Sequence, residues 1–117
     1  MNIEILRNIL SQKHLLKELS KTKSRYRKDI LRKADPNLIL ALCEAIYNLL
    51  EGKIKVNNSQ KEILKKDKAT LRKLIEKAPI KDKRKLLVQK GGFLPILLPA
   101  VLSTLASVVT SLISTKE

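Results

Sequence analysis

Residues that bind metals or act as nucleophiles are scarce in this chain. It has one cysteine, Cys43, and one histidine, His14. A zinc site needs several Cys or His ligands, so no metal is expected. A lone thiol closes no internal disulfide and implies no oxidising compartment. Cys43 falls in an apolar helical stripe, where it reads as a small buried residue. Aromatic residues are limited to Tyr26, Tyr47 and Phe93, with no tryptophan, which argues against base stacking on an aromatic platform. The only adjacent glycines, Gly91-Gly92, lead into a proline-containing apolar segment rather than the Lys-Ser or Lys-Thr of a phosphate loop. The acids are scattered among lysines, as on a solvated surface. These absences leave no candidate catalytic residue and no cofactor, and the chain reads as non-enzymatic. The N-terminus, MNIEILRNIL, lacks the basic start, apolar run and small-residue cleavage site of a secretory signal.

What the chain has in excess is positive charge. Its 25 Lys and Arg residues outweigh 11 Asp and Glu, for a formal charge of +14. Beyond Gly92 the only charges are Lys116 and Glu117, which cancel, so residues 1–92 carry the whole excess. Such asymmetry points to nucleic acid or an anionic membrane surface. The plainer alternative is a basic surface kept for solubility, at a cost in self-repulsion that a polyanion would relieve. Lysine outnumbers arginine, which favours point-charge contact with phosphates over bidentate reading of bases.

Apolar spacing predicts an all-α fold. Ile3, Leu6, Ile9, Leu10, Leu16 and Leu19 recur at three- and four-residue steps, predicting one amphipathic helix over 2–19. Ser20 to Lys33 is strongly basic and reads as a linker or weak helix. Residues 35–52 give the clearest signal. Asp35 is a good N-cap, Pro36 fits the first helical position, and Gly52 suits a left-handed C-terminal residue. Leu38, Ile39, Leu42, Cys43, Ile46, Leu49 and Leu50 form its apolar stripe. Ser59 to Glu62 has capping-box spacing, predicting a helix to about Ala78 with Ile63, Leu64, Leu71, Leu74, Ile75 and Ala78 inward. Pro79 ends it or opens the next turn, and residues 80–90 form a short helix burying Leu86 and Leu87. The expected architecture is a body of three or four helices plus a hydrophobic C-terminal helix, docked loosely or free. Its segments are an amphipathic helix and basic linker (1–34), a basic helical body (35–92) and a hydrophobic segment (93–117).

Two sets of residues are candidates for function. The first would contact double-stranded DNA non-specifically through its phosphates. It comprises Lys21, Lys23, Arg25, Arg27, Lys28, Arg32 and Lys33 in the basic stretch. Lys65, Lys66, Arg72, Lys73, Lys81, Lys83, Arg84 and Lys85 complete it on the outer face of 61–85. The second lies in residues 93–115, which hold no charge and exceed the length of a transmembrane candidate. Phe93, Leu94, Pro95, Leu97, Leu98, Pro99, Val101, Leu105, Val108 and Leu112 are its membrane-contacting candidates. Pro95 and Pro99 lie in its first turns, where proline is least harmful. Ser103, Ser107 and Ser111, with Thr104, Thr110 and Ser114, form a polar stripe opposite the apolar one. That stripe suits helix packing in a membrane or an interfacial helix. It equally suits a partner helix folded back on the body.

At VQKGGFLPILLPAVLSTLASVVTSLI the chain resembles the C-terminal part of adenovirus protein X, precursor of the mu core peptide. The shared elements are a basic residue, Lys90, then Gly91-Gly92, Phe93, Leu94-Pro95, the aliphatic Ile96-Leu97-Leu98, and Pro99. The resemblance is closer to the protein-X-like proteins of Polinton elements and adintoviruses, through LCEAIYNLLEGKI and KRKLLVQKGGFLP as well. It covers about residues 35–113 for that group and about 88–113 for the adenovirus protein. The resemblance implies a minor virion component that helps condense the genome, present in the host nucleus or cytoplasm during assembly. It also implies cleavage after Gly92 by an adenovirus-type cysteine protease, with Gln89, Gly91 and Gly92 as the recognised residues. Residues 93–117, once released, would then be free to meet a membrane. The chain departs from the pattern in three ways. Gln89 stands where that protease family favours a hydrophobic residue. The body mixes lysine with acids and shows helix caps, so it is expected to fold, with a capsid-protein contact replacing part of the condensation. The tail is also richer in Ser and Thr.

Overall fold

The computed structural model describes the backbone of residues 3–115 and the side chains of residues 7–106. Eight α-helices and one 3-10 turn account for the secondary structure of the described residues, which contain no strand. The all-α expectation holds, but the helices are more numerous and shorter than expected. The predicted 2–19 helix is two: α1 (Ile3–Ser11) and α2 (Lys13–Lys21), broken at Gln12. The basic stretch is not a linker but a helix, α3 (Ser24–Lys33). The predicted helix to Ala78 is again two, α5 (Asn58–Lys66) and α6 (Lys68–Ile75), broken at Asp67. Between these lies α4 (Pro36–Leu50), and α7 (Ile80–Lys90) follows. A 3-10 turn over Gly91–Phe93 then leads into α8 (Leu94–Thr115).

The breaks have a packing reason. Two helices act as hubs, α4 and α8. Helix α4 packs against α1, α6 and α7, whereas α8 packs against α2 and α5. At Gln12 and again at Asp67 the chain turns from one hub to the other. A straight helix through either point would present its second half to the wrong partner. Local sequence carries no such instruction, so periodicity alone joins the halves.

Helix α4 forms as its sequence dictates. The Asp35 carboxylate accepts from the Leu38 N–H at 3.1 Å, Pro36 opens the helix, and Gly52 takes a φ of 72° after its end. That cap contributes about 1 kcal/mol. Leu38, Ile39, Leu42, Cys43, Ile46 and Leu49 are all buried. The capping box sits two residues earlier than the Ser59–Glu62 spacing suggests. The Asn57 side chain accepts from the Gln60 N–H at 2.8 Å, and Gln60 Oε1 accepts from the Asn57 N–H at 2.9 Å. Asn caps as well as Ser, and here Gln60 has a second task. Its Nε2 donates to the Ile96 carbonyl of α8 at 3.1 Å, tying α5 to that hub. Because α6 stops at Ile75, Ala78 is exposed rather than inward. Pro79 stands at the N-cap of α7, where Leu87 is buried and Leu86 only partly so.

A single apolar cluster runs through all three expected segments, from Ile9, Leu16, Leu19 and Leu31 through α4 to Phe93, Leu94, Leu97, Leu98, Val101 and Leu105. The radius of gyration, 13.7 Å, is close to the roughly 13 Å expected of a compact chain this long.

Candidate nucleic-acid interface and the C-terminal helix

The expected DNA-contacting residues fall into three groups. Lys21, Lys23, Arg25, Arg32, Lys33, Lys65, Lys66, Arg72, Lys73, Lys81 and Lys85 are exposed. Lys28 and Lys83 are partly covered, and Lys83 lines a cavity with Cys43, Glu44, Tyr47 and Ile75. Arg27 and Arg84 differ from the rest. Arg27 is buried, at 8% exposure, so it offers little to a polyanion. The Arg84 guanidinium on α7 is spent on the end of α3. Its Nη1 donates to the carbonyls of Leu31 at 2.8 Å, Arg32 at 3.4 Å, and Ala34. These are among the carbonyls that a helix leaves without partners in its last turn, and a cation there also complements the helix dipole. Arg84 is thus a structural clamp between α7 and α3. Nothing in its local sequence sets it apart from Lys83 and Lys85.

The exposed cations occupy neighbouring helices, because α3 packs on α7, α7 on α6 and α6 on α5. The stretches 21–33 and 61–85, remote in sequence, therefore lie on one connected run of structure. Almost none of this charge is neutralised within the fold. Among the described residues one ion pair forms, Lys33 Nζ to Asp29 at 3.8 Å, with both side chains well exposed. Such a pair contributes little. Tyr26 is 62% exposed in the middle of basic α3, a surface aromatic that its tyrosine count alone does not reveal. Tyr47 is engaged, with Lys53 Nζ lying 5.6 Å from its ring centroid. A hydrogen bond to Glu51 and that carboxylate's charge raise its phenol pKa above the usual value. Burial pushes the Cys43 thiol up to about 11, which keeps it protonated and unreactive.

The membrane candidates occupy the core. Phe93, Leu94, Leu97, Leu98, Val101 and Leu105 are each at most 3% exposed. Pro95 is partly covered and Pro99 exposed. Val108 and Leu112, with the hydroxyl residues from Ser107 onward, lie outside the described side chains. The described part of the polar stripe faces outward. Ser103 is exposed, and the Thr104 hydroxyl donates to the Ala100 carbonyl at 3.1 Å. The helix is docked against α2 and α5 rather than loose or free. By length and composition, the helical run Ile80–Ala106 nonetheless contains an 18-residue window apolar enough to cross a membrane.

The turn joining α7 to α8 contains the proposed protease site. Gln89 and Gly92 are exposed, and Gly91 is buried. Neither glycine is demanded by the backbone. Gly91 has a φ of −76°, and Gly52 is the one glycine with positive φ. Neither is demanded by space. A Cβ on Gly91 would meet Leu94 Cδ1 at 3.4 Å, an ordinary contact, and one on Gly92 would meet nothing within 4 Å. Two glycines in succession therefore carry a conformational-entropy cost, about 0.5–1 kcal/mol each between helices, with no architectural return.

No family model, curated protein or solved structure matches this chain.

Proposed function

We propose that this is a non-catalytic protein that holds double-stranded DNA through its phosphates without reading sequence. One observation carries the reading. A chain of net charge +14 neutralises its cations internally with a single ion pair among the described residues. Its remaining exposed lysines and arginines release counterions on meeting a phosphate backbone. The resemblance to protein-X-like proteins extends the proposal to a minor virion component, with capsid protein as a second partner. Arg27 and Arg84 do not belong to the contacting set. The test is duplex binding against salt. Affinity for random and fixed sequences should fall together, and replacing Lys65, Lys66, Arg72 and Lys73 with Gln should flatten the log–log slope by up to about 0.9 for each lost contact. Salt-insensitive binding sinks the proposal.

Cleavage after Gly92 is proposed on the same resemblance, and the glycine pair that the fold does not require supports it. Phe93 is buried and the turn is helical, so the site has to open locally before a protease can take it as an extended strand. Gly92→Leu, whose Cβ meets nothing within 4 Å, should fold normally and resist the virion protease; normal processing of that variant removes Gly92 as the site. The apolar window within Ile80–Ala106 keeps a second reading, a membrane-active tail, which operates after release. The intact chain should therefore bind anionic but not neutral liposomes.

A further inference from the structure

Helices α2 and α8 enclose a groove whose two walls differ in character. Lys13, Lys17 and Lys21 stand at four-residue steps, which places them in a row along one edge of α2. All three are exposed, and none is in an ion pair among the described residues. Opposite them is α8, which bears no charge from Leu94 to Thr115. The groove between has a volume of about 510 Å³ and is lined by the three lysines with Pro99, Leu102 and Ser103. The acid of α2, Glu18, lies on the other flank of the helix, beside Thr22, Tyr26 and Asp29. Like charges at this spacing repel one another, and no ion pair among the described residues offsets them.

We propose that this groove receives an acidic amphipathic helix from a partner protein. The lysine row spans about 12 Å, at 1.5 Å per residue of helix. A partner helix with carboxylates at the same four-residue step would match it charge for charge while laying its apolar edge on Pro99 and Leu102. This is helix-in-groove recognition. Duplex DNA would use the lysines but gain nothing from the uncharged wall. A second copy of this chain does not fit as occupant, since no helix in its sequence carries two carboxylates at a four-residue step. The surface is distinct from the run of α3, α7, α6 and α5 assigned to DNA, sharing only Lys21 with it.

The experiment uses the full chain and a labelled, alanine-based helical peptide bearing glutamate at every fourth position on one edge and leucine on the next. Binding is read by fluorescence anisotropy. The triple variant Lys13→Gln, Lys17→Gln, Lys21→Gln should weaken binding about tenfold, three surface pairs' worth. Ser103→Trp, at an exposed position in the groove, should block it. A control triple, Lys61→Gln, Lys65→Gln, Lys68→Gln, removes the same charge from exposed sites elsewhere and should change affinity less than twofold (about the scatter of such surface changes). Replacing the peptide's leucines with alanine should cost about tenfold, the order expected for a few lost methylenes. Circular dichroism confirms that each variant folds. Equal weakening by both triples, or indifference to the leucines, reduces the effect to diffuse electrostatics and overturns the proposal. So does binding of phosphatidylserine vesicles that Ser103→Trp abolishes when the peptide fails to bind, which would give the groove to lipid.

Discussion

Ending the chain at Gly92 should abolish folding of the remainder. The deletion takes Phe93, Leu94, Leu97, Leu98, Val101 and Leu105 out of the core, all nearly fully buried. Each such side chain contributes about 1.5–3 kcal/mol when buried, so the six together supply on the order of 10 kcal/mol. A domain of this size has about 5–15 kcal/mol of net stability to lose. The deletion also leaves the buried face of α2 without its main partner and Gln60 without the Ile96 carbonyl. The assay is far-ultraviolet circular dichroism with urea unfolding, on the chain ending at Gly92 and the intact chain. The shortened chain should show weak helicity and no cooperative transition, and synthetic 93–117 added in trans should restore both. Cutting the intact protein at Gly92 should leave a nicked pair that stays associated in buffer and parts only when denaturant or a membrane draws residues 93–117 away. A shortened chain that unfolds cooperatively with near-native helicity would refute the reasoning, and would mean that α8 is an accessory rather than a hub.

Other substitutions test the clamp, the glycines and the thiol. Arg84→Gln should destabilise by about 2–4 kcal/mol, since it removes charge-assisted bonds to the end of α3; Lys85→Gln, exposed one residue on, should be neutral in urea melts. Gly92→Ala should stabilise by about 0.4–1 kcal/mol, because its backbone already suits any residue, and a lower urea midpoint would contradict the geometry. The Cys43 thiol is raised from 9.0 to about 11 by burial. The folded state therefore holds this proton more tightly, so the contribution is complete below pH 9 and is lost as pH rises toward 11, by on the order of 2 kcal/mol. Cys43→Ala should flatten that part of the pH profile, and an unchanged profile would show that the thiol does not titrate there.

Local signals were readable where local chemistry decides the outcome. Asp35, Pro36 and Gly52 bracket α4 as their residue types require, and the apolar stripe between them is the core face. The 80–90 helix and the outward polar side of 93–106 follow similarly from spacing. What spacing does not contain is direction toward a distant partner. The turns at Gln12 and Asp67 exist because the chain alternates between α4 and α8, and neither residue is a strong breaker. Arg84 looks like its basic neighbours until the carbonyls of α3 arrive beside it. The uncharged tail has the length and apolarity of a membrane helix, and a core hub has the same composition. Only the presence of α2 and α5 on its faces separates the two in this fold.

The alternation between hubs also sets when the protein can fold. Helix α2 leaves the ribosome well before its principal partner, α8, because α3 to α7 lie between them in the chain. Domains usually fold as units during synthesis, and contacts this remote in sequence form slowly. Leu16 and Leu19 therefore wait without the surface that covers them until α8 has been made.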